Sequence, residues 1–173
     1  MTPTWDLFII VFFALSIVFG IALGRQRAVV GVIASYIGLV TANVGGNALY
    51  NILGGTSANV GSIALNAGSS PFLFKVIIFG LIAILLIVKG DFLKTALTHH
   101  TGVFSMLAAG IYSFLNAGLI ITALVSFLSD SQRTDILAQS SLANTIVQYQ
   151  ILWLVVPVLL MIVLGFKHRE DKG

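Results

Sequence analysis

Three asparagines, Asn43, Asn47 and Asn51, stand four residues apart in the stretch NVGGNALYNILGGTSANVGSIALN. At that spacing they share one face of a helix. An amide side chain donates and accepts hydrogen bonds, but it neither titrates nor attacks, so its chemistry is recognition. Set in hydrocarbon without a partner, such a group costs several kcal/mol. The row must therefore meet another helix, water or a ligand. Two readings follow. The amides hold helices together, each contributing about 0.6–2 kcal/mol, or they border a polar vestibule through which a small solute passes. No ring of charge or filter-like motif accompanies them, which favours the first. Asn116 is the other strongly polar residue deep in an apolar run, and it is expected to pair with the row across the bundle.

The remaining reactive side chains form no catalytic set. Asp6 and Lys75 each lie close to the outer end of an apolar run, which predicts an ion pair between the first and third spans. Neither is near a midplane, where proton and ion relays sit. His99 and His100 are adjacent and so do not share a helix face, and His168 lies in the tail. With no Cys in the chain, disulfides and thiolate metal sites are excluded. GxSxG, HExxH and phosphate-loop motifs do not occur. No enzyme, metal or cofactor is predicted.

Composition places these residues in a bilayer. The 173-residue chain is 58% hydrophobic and 9% charged, with mean hydropathy +1.04. A water-soluble domain needs about a quarter of its residues charged. Apolar runs long enough to cross a bilayer, about 20 residues, lie near 5–24, 28–53, 72–89, 102–128 and 149–166. Each is apolar all round, the pattern of a buried or lipid-facing helix. Lipid offers no partner to a free backbone amide, so helices are the default. The expected fold is all-α, a polytopic transmembrane bundle of about five spans forming a single integral membrane domain over 1–173. The formal charge of +3 is scattered at span ends and predicts no nucleic-acid partner. The bilayer itself is the first partner.

Loop charge sets the threading. Arg25 and Arg27 follow the first span, Lys89 and Lys94 follow the third, and Lys167, Arg169 and Lys172 follow the fifth. Seven of the nine Lys and Arg residues thus fall on one side. The positive-inside rule makes that side cytoplasmic, with the N-terminus outside and the C-terminus inside. The uncharged connection 54–70 is then outside, where VGSIAL is apolar enough to dip into the interface. Ala138, Leu142, Ile146 and Tyr149 recur at helical steps, which predicts an amphipathic helix over 134–148 lying on the outer face.

Small residues recur every fourth position in three spans: Ser16, Gly20 and Gly24; Ala34, Gly38, Ala42 and Gly46; Ser105, Ala109, Ser113 and Ala117. Such stripes bring helix backbones close, within one subunit or between copies. Three stripes in five spans leave room for self-association. Pro157 is expected to kink the fifth span.

Three segments resemble the colicin V production protein family of small bacterial inner-membrane proteins. TWDLFIIVFFALSIVFGIALG resembles the family's opening, with an aspartate before the first span and glycines closing it. GRQRAVVGVIASYIG resembles its basic turn and second span, and GVFSMLAAGIYSFLNAGLIITALVSFL its later glycine-spaced span. This last run carries Ser113, Asn116 and Ala117 where the family often has an arginine. The resemblance implies the bacterial inner (plasma) membrane and a link to toxin export or envelope phenotypes. The expected function is that of a non-enzymatic subunit, packing by its helices in a homo-oligomer or with other membrane subunits of an envelope or secretion complex. A channel or small-solute transporter component is the alternative.

Overall fold

The computed structural model describes residues 4–52, 58–60, 63–65, 71–89 and 103–166. Its helices are α1 (Trp5–Leu23), α2 (Arg25–Ile52), α3 (Phe72–Lys89), α4 (Val103–Phe127), α5 (Asp130–Gln139), α6 (Ser141–Gln148) and α7 (Gln150–Phe166). Between α2 and α3 a small antiparallel hairpin pairs β1 (Ala58–Val60) with β2 (Ile63–Leu65), Asn59 facing Ala64. Helices α1, α2, α3 and α4 are long and apolar enough to cross a membrane. A fifth span results if α6 and α7, bent by 58° at Tyr149, count as one. Large apolar side chains cover the outside, among them Phe8, Val18 and Phe19 on α1 and Ile84 and Val88 on α3. The apolar helices are compatible with an integral membrane protein.

Helix α4 is the axis of the bundle. It packs against α1, α2, α3, α6 and α7, and Ala109, Tyr112, Ala117, Leu119 and Ala123 are almost wholly enclosed. Apolar clusters form around it, one near its start and two on different sides of its later turns. Ala28, Val29 and Val32 of α2 meet Ala108, Ala109 and Tyr112 at the Arg25 end. Ile9, Ile121, Val125, Ala143 and Ile146 join α1, α4 and α6 at the Asp6 end. Ala42, Phe79, Ala123 and Phe127 join α2, α3 and α4.

Most of the small residues in the stripes are buried inside the chain. Gly20 is buried against Ser113 and the Ala109 carbonyl, which is 3.3 Å from where a Cβ would stand. Gly38 faces the ring and carbonyl of Phe79, and Gly46 faces Lys75. Ala34 and Ala42 are fully enclosed. Gly24 departs from the expected packing role, since nothing lies within 4 Å of an added Cβ. It is the single residue between α1 and α2, and its φ of +85° is a conformation that glycine alone adopts without strain. The backbone reversal therefore needs Gly24 more than helix packing does. Helix α2 also starts earlier than the apolar pattern suggests, because Arg25 and Arg27 form its first turn.

The predicted interfacial helix over 134–148 is two helices. Ser140, in extended conformation (φ −132°, ψ 112°), separates them. The broken frame redistributes the expected stripe: Ala138 and Tyr149 are exposed, while Ala143 and Ile146 are buried against α1 and α4. Helix α5 buries no residue. It starts with a capping interaction in which the Ser129 amide donates to Gln132 Oε1 at 3.3 Å. Helix α7 continues through Pro157, and α6 and α7 meet at a 58° bend at Tyr149. Proline withholds one amide donor from its helix. Tyr36 of α2 donates its hydroxyl to the Leu154 carbonyl in the turn before Pro157.

Candidate functional site: the amide face of α2 and the Asp6 junction

Helix α2 has two differently used halves. From Ala28 to Ser35 it is buried nearly all round by its own bundle. Beyond that, Gly38, Ala42 and Gly46 form one buried side, with Phe79 and Lys75 of α3 at Gly38 and Gly46. At 3.6 residues per turn, Ile37, Val40, Val44, Asn47 and Asn51 lie about opposite that side, and all are exposed. Val40 is 64% and Val44 71% exposed. Asn43 flanks this face and is exposed too. The amide row thus lies on the outside of the chain. Among the described residues it neither borders an enclosed vestibule nor joins two helices.

Asn116 is seated elsewhere. It faces Gly31 across the α2–α4 seam, its Nδ2 3.5 Å from where a Cβ would stand on that glycine. Gly31 is about 18 Å along α2 from Asn43 at 1.5 Å rise per residue. The expected pairing of Asn116 with the row is therefore not made. Its Oδ1 is buried with no hydrogen-bond partner. A buried acceptor left unpaired costs about 1–3 kcal/mol. Asn116→Leu, which keeps much of the volume and removes the orphan, is expected to stabilise the bundle by about 1 kcal/mol, read as a higher unfolding midpoint in detergent. A lower midpoint would show that the amide binds something the bundle needs.

The expected Asp6–Lys75 ion pair gives way to other partners. Asp6 Oδ1 accepts from Ser140 Oγ and from the Leu142 amide at 3.2 Å, and Oδ2 lies 3.3 Å from Ser141 Oγ. Ser140, wholly enclosed, also accepts from the Ala143 amide at 2.9 Å and so caps α6. Lys75 is half-buried, its stem against Gly46 and its Nζ 6.0 Å from the Phe127 ring centroid. The packing order explains the exchange: α1 docks on α4 and α6, whereas α3 docks mainly on α2. A carboxylate at a helix N-terminus is favoured by the orphan amides and the helix dipole. The Ser140–Ser141 doublet, a capping signal, was the sequence trace of this junction.

At the other end Arg25 lies beside the buried Tyr112 side chain of α4, while Arg27 and Lys89 are exposed. Lys94, Lys167, Arg169, the three histidines and the side chains of the VGSIAL segment lie outside the described residues. Comparison with known protein families, with curated proteins and with solved structures finds no match.

Proposed function

We propose that this protein is a non-enzymatic integral membrane subunit that works by assembly, in a homo-oligomer or as a member of a cell-envelope complex. The exposed amide face of α2 carries this reading. The chain buries most of the small residues of its stripes internally, yet it leaves Asn43, Asn47 and Asn51 exposed on α2. Acyl chains give an amide no partner, and a neighbouring polypeptide does. The threading with the Asp6 end outside and the Arg25 end in the cytoplasm follows from the distribution of basic residues. It puts the row in the outer leaflet and its interface. The resemblance of the first two spans to colicin V production proteins fits a bacterial inner membrane.

The test is the mass of the particle extracted directly from native membrane into lipid discs. A particle of more than one chain, or a stoichiometric co-purifying membrane protein, is the expected result. A monomer without any partner would overturn the proposal.

A further inference from the structure

We infer that the partner at this face is a second copy of the chain, joined through α2 in parallel about a two-fold axis along the membrane normal. The inference rests on the assembly reading above and names the surface and the occupant.

Ile37, Val40, Val44, Asn47 and Asn51 are spaced 3, 4, 3 and 4 residues apart and all are exposed. A repeat averaging 3.5 residues keeps one seam facing a partner helix in a left-handed pair. The apolar part of the seam is built from Ile37, Val40 and Val44, and it ends in two amides, Asn47 and Asn51; a polar asparagine in such a seam specifies register at a cost in stability. The seam is about 21 Å long at 1.5 Å per residue, and α3 packs on the opposite side of α2, so it does not obstruct approach.

Membrane insertion decides the pairing. Two copies inserted the same way and related by a two-fold along the membrane normal bring equal depths together. Val40 and Val44 then meet their own counterparts in hydrocarbon, and Asn47 meets Asn47. An amide is its own complement, because it donates through nitrogen and accepts through oxygen. The seam bears no charge, so identical faces do not repel. A different subunit would need its own amides at the same depth, whereas a second copy carries them by construction.

The chain lacks cysteine, so single replacements report contacts without background. Val44→Cys and Val40→Cys are expected to form disulfide-linked dimers in native membranes on mild oxidation. Ile84→Cys, on the exposed face of α3, is expected to stay monomeric. Asn47→Leu should weaken dimerisation by roughly three- to thirtyfold, the worth of one interhelical amide contact, whereas Asn47→Gln should largely retain it. These positions are exposed, so folding is spared. A dimeric particle in which Val44→Cys does not crosslink, or does so no faster than Ile84→Cys, overturns this inference but leaves the assembly proposal standing. Crosslinking to a different protein does the same. A lone chain solvated by lipid overturns both.

Discussion

Gly118→Ala is expected to be among the most damaging single changes in the chain. A Cβ there would overlap the six-membered ring of Trp153. That ring cannot step aside cheaply. It packs against Phe13 and Phe114, with centroids 5.9 and 5.5 Å away, and its Nε1 donates to the Ile146 carbonyl at 3.1 Å. Overpacking costs about 1–3 kcal/mol, and the broken hydrogen bond adds about 1 kcal/mol. The expected loss is thus about 2–4 kcal/mol, concentrated on the docking of α6 and α7 against α4. The chain has two tryptophans, so a Trp5→Phe background isolates Trp153. Its emission should shift to the red in Gly118→Ala, with a lower unfolding midpoint in detergent. Unchanged emission and midpoint would show that α7 does not seat against Gly118.

Gly20→Ala is expected to separate α1 from α4 by a comparable amount, and here the remedy is specific. The added methyl would overlap both Ser113 Oγ and Cβ, while the next nearest atom, the Ala109 carbonyl oxygen, is 3.3 Å away. Ser113→Gly clears the overlap without touching the rest of the seam. The double variant should therefore be more stable than Gly20→Ala alone, with a coupling of about 1–3 kcal/mol. Additive effects would mean that the two residues do not meet. A Ser113→Gly change by itself places a glycine inside α4 and should cost about 0.5–1 kcal/mol, so the rescue runs against the sign of the single change.

Much of the architecture was legible in the chain because it depends on local quantities. Apolar runs of sufficient length mark α1 to α4 wherever they occur. The run 72–89 coincides with α3, Phe72–Lys89. The stripe through Gly38, Ala42 and Gly46 announced a close helix contact before its partner, α3, was visible. The break at Ser140 was harder to see. Helical spacing continues through it in the sequence, and a single periodic stripe was the natural reading. What ends α5 is an acceptor on a distant helix, the Asp6 carboxylate, which rewards Ser140, Ser141 and the Leu142 amide for starting a new helix.

The same division applies to the candidate site. Spacing alone placed Asn43, Asn47 and Asn51 on one face, because helix geometry is independent of what surrounds it. Which way that face looks was decided by α3, which took the opposite side of α2. Asn116 shows the converse. Its polarity marked it as unusual, yet its neighbour is a glycine on α2, seated far from the row.

By itself the sequence determined the apolar character of the spans, the helical segments and the residues that share a face, since these follow from hydropathy and a fixed turn of 3.6 residues. Only the tertiary structure decided who meets whom: Asp6 with Ser140 in place of Lys75, Trp153 with Gly118, and the amide row with none of the described helices. Partner choice depends on the order in which helices pack around α4, and that order is a global outcome of shape that no local pattern encodes.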